Sequence, residues 1–321
     1  MKHILTPACA MLLAMPLAAQ GSETDDFDTG LNNAGWNFGV IPADVIEPTG
    51  GNPNGWLHND QIDMFTVILR NDTTTGPWVG DYRAAGVSRI HFDAQTLGAV
   101  FGAAGRDMSI LLRDTKGTAL VDDDDYAYYV GHLVPQVGAG WKHFNFEIPS
   151  QSTDPVPFGW KGGWVGDGEN FRPGVDWNDV ITNVDVVEIW WMDPSFFAIF
   201  QTWNVGVDNL TIEWGMDAEV SIAPGLAGVN NTISMVNASP NSAVRFAGST
   251  TAGTTNFNWM GDQMQLGMGN PREVGVATAD AAGNASVMAL IPASLVGTTI
   301  YLQGFDSTDG RLSAPLVVNL P

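Results

Sequence analysis

The sequence predicts an all-β protein made of two sandwich domains. Three observations carry this expectation. Charged residues fill only 15% of the 321 positions, while glycine (37 residues) and aromatics (10%) are abundant; that mixture favours many short strands and glycine-rich turns over long helices. Apolar and polar residues alternate at period two in segment after segment, and no helical period lasts beyond a turn or two. Composition changes near residue 215: eleven of the twelve tryptophans precede it, and acid density falls there. A prior of roughly 100–200 residues per domain also suits two units.

The chain opens with Lys2 and His3, a mostly apolar run over 4–17, and Ala18-Ala19-Gln20. This reads as a signal peptide over residues 1–20. It is too short for a stable membrane span, so a secreted protein, extracellular or at the cell surface, is expected, without membrane insertion. Cys9, the single cysteine, lies in this segment, so the rest of the chain has no disulfide framework. Stability must then come from a large core, bound ions, or both.

The first domain is expected over 21–215. Met108, Ile110 and Leu112 alternate with Ser109 and Arg113; Phe144, Phe146 and Ile148 alternate with Asn145 and Glu147. Val184, Val186, Trp190 and Met192 share one parity, interrupted by Glu188. These patterns suit half-buried antiparallel strands. Loops at 50–55, 72–80, 121–126 and 149–173 hold most of the polar and aromatic interest. Near the domain's end the apolar parity flips: Trp203, Val205 and Val207 are odd, Leu210, Ile212 and Trp214 even. A flip in a strand demands a bulge, here at Asp208-Asn209. The carboxylate at that kink suits either a hard cation or a hydrogen-bonded corner.

A linker is expected at about 215–223, ending on the turn signal Ala223-Pro224-Gly225. The second domain, 216–321, reads as strands at 231–236, 243–247, 273–278, 286–291, 299–305 and 315–320. About seven short strands in ~100 residues match an immunoglobulin-like β-sandwich.

Net charge is −22, with most acids in the first domain. Such a surface repels nucleic acid and anionic lipid and favours divalent cations. There is no nucleotide-binding glycine pattern, no His-x-x-x-His pair for zinc and no Gly-x-Ser-x-Gly nucleophile elbow.

Several first-domain segments, taken in order, resemble the laminin B domain (laminin domain IV) and its bacterial relatives. They are Gly50-Gly51-Asn52-Pro53-Asn54-Gly55-Trp56-Leu57, Gly76-Pro77-Trp78-Val79-Gly80-Asp81-Tyr82, Ile90-His91-Phe92-Asp93 and Val207-Asp208-Asn209-Leu210. The chain departs from that pattern at Asn54, where glycine is usual, and at Trp78-Val79, where Phe-Leu is usual. The resemblance implies a galactose-binding-domain-like jelly roll with a binding or matrix role and no catalytic residue. The second domain resembles a C-terminal sandwich of exported bacterial proteins, on Ala223-Pro224-Gly225-Leu226-Ala227-Gly228, Gly275-Val276-Ala277-Thr278-Ala279-Asp280, Gly283-Asn284-Ala285 and Tyr301-Leu302-Gln303-Gly304.

The terminal strands of a jelly roll are neighbours, so Asp26 and Asp28 could meet Asp208 around a structural calcium. Calcium takes roughly 6–8 oxygens, carbonyls included; the alternative is a solvated acidic end. Asp122 to Asp125 alternate direction on an extended chain and read as a solvated loop. Trp56, Trp78, Tyr82, Trp160, Trp164 and Trp177 sit in or beside polar loops, where they either pack locally or stack on sugar rings. Trp78, Tyr82, Trp160 and Trp164 are the favoured carbohydrate-binding residues. The expected function is therefore a non-catalytic binding or structural protein with a polysaccharide or other glycan as ligand. The rival is a polysaccharide-acting hydrolase or lyase using Glu188 with Asp185 or Asp193, since glycoside cleavage needs paired carboxylates.

Overall fold

The computed structural model describes residues 21–29, 33–40, 43–164, 168–196, 199–259 and 262–321. The expected signal peptide lies outside them. The alternating segments of the first unit fold as β1 (Gly21–Asp25), β2 (Trp36–Asn37), β3 (Val45–Gly51), β4 (Asn54–Met64), β5 (Ile68–Asn71) and β6 (Val87–Ala99). They continue as β7 (Asp107–Asp114), β8 (Asp125–Leu133), β9 (Lys142–Glu147), β10 (Trp160–Trp164), β11 (Val186–Trp190) and β12 (Gln201–Trp214). Two helices interrupt them: α1 (Tyr82–Ala85), N-capped by Asp81, and α2 (Trp177–Ile181), held by a capping box of Asp176 and Asp179.

One antiparallel sheet runs β3-β4-β12-β6-β9, with β1 also on β12; the other runs β10-β8-β7-β11-β5-β2. Inward residues of both enter one core. Leu57, Ile90, Phe92, Phe144 and Trp203 come from the first sheet, and Trp36, Leu69, Ile110, Leu112, Val187 and Ile189 from the second. Burying each such side chain contributes roughly 1.5–3 kcal/mol relative to leaving it exposed, which suits a fold without disulfides.

The parity flip is a bulge. The β12 register against β6 shifts between Asp208 and Thr211, and Asn209 takes the left-handed conformation (φ 52°). Asparagine tolerates that region better than most residues. The bulge also marks a change of partner: residues up to Val207 pair with β4, and those from Leu210 pair with β1. Trp203, Val205, Val207, Leu210 and Ile212 consequently all face the core.

On β11 the expected parity is reversed. Val187, Ile189 and Trp191 point inward, while Val186, Glu188 and Trp190 form the outer face. Both parities of this stretch carry apolar residues, so alternation alone could not choose between them.

The second unit comprises β13 (Glu219–Ala223), β14 (Asn230–Val236), β15 (Ala243–Ser249), β16 (Thr255–Trp259), β17 (Asp262–Leu266), β18 (Arg272–Thr278), β19 (Ala285–Leu290), β20 (Thr299–Asp306) and β21 (Leu316–Asn319). Sheets β13-β14-β19 and β18-β15-β20-β21 enclose a separate core that includes Val220, Ile233, Met235, Phe246 and Leu302; β16-β17 form a ribbon. The chain is thus all-β, a larger sandwich followed by a smaller β domain. The latter half of the expected linker is strand β13, pinned by Val220.

The two units meet through charge. Arg89 on β6 clasps Glu213 with two hydrogen bonds (3.0 and 2.7 Å) and donates to the Asp309 carbonyl (2.9 Å); Arg311 reaches Glu213 at 3.3 Å. Burial pushes Glu213 up, but hydrogen bonds from His91 and Arg89 outweigh it, and the carboxyl falls to about 2.

Candidate functional site

Three of the four aromatics expected to face a ligand are core residues. Trp78 is 2% exposed, Tyr82 1% and Trp160 4%. Their polar tips are satisfied internally or lost among rings. The Trp36 and Trp78 indoles both donate to Asp25 Oδ2 (3.0 and 2.9 Å), and the Tyr82 hydroxyl donates to the Trp78 carbonyl (2.8 Å). Trp160 packs on Trp177 with ring centres 4.8 Å apart. Glycine-rich neighbours gave these residues the look of a loop platform, whereas the loops fold back and bury them. Trp56 and Trp177 are buried as well. Trp164 alone is half-exposed, and the Arg172 guanidinium lies 5.0 Å from its ring centre.

The three expected metal-binding aspartates do not form one carboxylate cluster. Asp26 is exposed and accepts from the Asp28 amide; Asp28 accepts from the Gly55 amide (2.9 Å) and the Asn54 side chain (3.1 Å). Among the described residues no three His, Cys, Asp or Glu side chains are grouped to hold a metal. Asp208 is fully buried, with its two oxygens on the amides of Asn52 (2.6 Å) and Asn209 (2.8 Å). Burial pushes its carboxyl up to about 7 against those hydrogen bonds, and the charges of Asp93 and Asp28 add to the rise. Its Oδ2 and the carbonyl oxygens of Asn54 and Gly55 crowd the face of Gly51, where any side chain would collide with all three. Only glycine fits there.

The larger concentration of chemistry lies on the outer face of the second sheet. Cross-strand register aligns Arg70 (β5) with Glu188 (β11), Glu188 with Leu111 (β7), and Leu111 with Tyr128 (β8). Arg113 stands beside them, opposite Val186 and Tyr126. Glu188, 1% exposed, is gripped by Arg113 (2.8 Å), Arg70 (3.2 Å) and the Trp190 indole (2.9 Å). The other arm of Arg113 holds Asp124 at 3.1 Å. Burial raises the Asp124 carboxyl, Arg113 lowers it, and the charges of Glu188 and Asp114 raise it further.

The expectation of a solvated aspartate loop therefore fails for its second half. Asp124 and Asp125 are buried, and Asp125 is paired with Arg172 and Lys116 (both 3.2 Å). Its partners lie up to 47 residues away, beyond the reach of any local pattern.

A cleft of about 780 Å³ opens at this face. Its walls include Arg70, Arg113, Asp124 and Glu188, with Thr73–Thr75 and Thr118 on the rim. Asp185 is also in the wall, its Oδ2 taking the Thr115 amide and hydroxyl (2.9 and 2.7 Å). Half-exposed Trp190 continues the face beyond Glu188. The volume is within the usual range for small-ligand sites. Fixed planar ion pairs, hydroxyls and an aromatic at the margin can bind a polyhydroxylated molecule. Asp193, the other residue expected to assist Glu188, binds the Ser195 amide and hydroxyl (both 2.8 Å). The parity of Arg113 was visible in the sequence, but that of Glu188 and the pairing that joins both to Arg70 were not. No protein-family model matches the chain, and no curated protein matches it.

Proposed function

We propose that this protein is a non-catalytic glycan-binding or structural module, secreted to the extracellular space or the cell surface. The observation that carries the reading is the cleft on the outer face of β5, β11 and β7. Its carboxylates and guanidinia are locked against one another, so they are preoriented for sugar hydroxyls without reorganisation on binding. Arg70 and Arg113 are outnumbered there by Asp72, Asp124, Asp185 and Glu188. Together with the net charge of −22 this favours a neutral glycan over a polyanion. The laminin B-like jelly roll and the immunoglobulin-like second domain belong to the same reading, because such modules serve matrix and envelope surfaces. A glycan array probed with the full chain is expected to retain neutral polysaccharides and not sulfated ones; retention of none contradicts the reading.

A hydrolase reading is supported by Glu188 sharing a cleft with Asp185, one of the two partners expected for it, and with Asp124. Both Glu188 oxygens are held by arginine, which leaves it poorly placed to protonate a leaving group. The binding reading is therefore preferred.

Calcium belongs to the proposal as a structural ion at the bulge, held by Asp208 beside the turn of residues 52–55. Asp28, hydrogen-bonded to the same turn, supplies further negative charge nearby. The support is a buried carboxylate with elevated proton affinity, close enough to Asp93 and Asp28 to feel both charges. At a hundredfold excess of calcium over its dissociation constant, linkage adds about 2.7 kcal/mol. Chelator is then expected to lower Tm by roughly 5–10 °C in the wild type and to have no effect in Asp208→Asn. Equal Tm of the wild type with and without chelator removes calcium from the account.

A further inference from the structure

A second cavity, of about 180 Å³, lies between the two β domains and shares no lining residue with the cleft. Its wall has an uneven chemistry. Three buried polar atoms, Ser88 Oγ, Asn145 Oδ1 and Glu147 Oε1, have no hydrogen-bond partner among the described residues. Ser88 is only 3% exposed. The Asn145 and Glu147 atoms can only accept while Glu147 is ionised, and the serine hydroxyl can accept as well. Asp217, from the segment joining the domains, and Asp154 add two more carboxylates. The rest of the wall is mixed, with Tyr129, Trp160, Phe158 and Met264 beside Ser152, Gln265, Gln303 and Ser313.

The two arginines that act on Glu147 are already committed. Arg89 and Arg311 are engaged with Glu213 and Asp309, and burial lowers His132 to about 4, so it is neutral at ordinary pH. Burial pushes Glu147 and Asp217 each up to about 7, against the charges of Arg89 and Arg311 on the first and of Arg311 on the second. What the cavity lacks is a donor for its three open acceptors.

We propose that this interdomain cavity is a binding site for a small primary ammonium compound with a compact apolar body. The ammonium donates to Glu147 Oε1, Asn145 Oδ1 and Ser88 Oγ, and the body packs against Phe158 and Met264. Aromatic rings beside the charge add cation–π attraction. The site is independent of the glycan cleft.

The test is calorimetric titration of the full chain at pH 8 with benzylammonium, using benzyl alcohol as the neutral match. Benzylammonium is expected to bind at least tenfold more tightly than the alcohol. Glu147→Gln is expected to remove at least tenfold of that affinity, and Ser88→Ala about threefold. Phe158 is half-exposed, so Phe158→Ala serves as a variant that keeps the fold, with an expected severalfold loss. Equal binding of amine and alcohol overturns the proposal. So does undiminished amine affinity in Glu147→Gln or, should that variant not fold, in both Ser88→Ala and Phe158→Ala.

Discussion

Glu188→Ala is expected to lower the unfolding free energy by about 3 kcal/mol, the low end of the range for breaking a buried ion pair. On a domain of this size that corresponds to a Tm roughly 10 °C lower. The carboxylate is 1% exposed and serves three donors at once. Its loss strands Arg113 Nη2 and the Trp190 indole on a face where neighbouring Leu111 and Tyr128 are fully buried. Arg70 regains water easily, its side chain being 39% exposed, which keeps the effect at the low end. Glu188→Gln keeps the shape and one acceptor and is expected to cost less than half as much. Thermal melts by circular dichroism check both. A Glu188→Gln protein with wild-type Tm that has lost a polysaccharide-cleaving activity would make Glu188 a catalytic group and reverse the proposed function.

Stability is expected to peak near pH 4–5 and to fall as the pH rises through 7. Glu147 and Asp217 are both pushed by burial to about 7, from ordinary values of 4.5 and 3.8, and Asp208 at the bulge, also near 7, acts in the same sense. Each binds its proton more tightly in the folded state than in the unfolded chain. The stability they contribute is therefore fully present below those ordinary values and is lost as pH climbs to about 7. Glu213 acts in the opposite sense: lowered to about 2, it stabilises above 4.5 and loses that effect as pH falls toward 2. One pKa unit is worth about 1.4 kcal/mol. Discounting for the partial exposure of both raised acids gives a loss on the order of 3 kcal/mol between pH 5 and pH 8. Tm should then drop by roughly 5–10 °C across that range, and Glu147→Gln should flatten the slope. A Tm that rises from pH 5 to pH 8 contradicts the assignment of these two acids.

Local pattern carried the fold a long way. The change of parity around Asp208 was sufficient to locate the bulge, because a strand has only two faces. Six strands of the second domain were legible from their alternation. Strand β13 was hidden by the turn signal that follows it, and β16-β17 by their polar, glycine-flanked ends. The candidate site was much less legible. Tryptophans among glycines look alike whether a loop projects or folds back, and Asp25, which gathers the Trp36 and Trp78 indoles, is separated from Trp78 by 53 residues. Asp124 and Asp125 read as solvated because their bases, Arg113, Lys116 and Arg172, sit on other segments of the chain. The outer-face cluster is produced by register between β5, β11 and β7. No window of sequence contains it.

Titration of a retained neutral polysaccharide against wild type, Arg70→Ala and Trp190→Ala, with Tm measured on each, tests the binding role of the cleft most directly. Both substituted side chains are partly exposed, so melting should shift by only a few degrees. Affinity is predicted to fall at least tenfold in each variant, about 1.4 kcal/mol or more. Wild-type affinity in both variants, with Tm preserved, would place any glycan site elsewhere on the molecule and contradict the account.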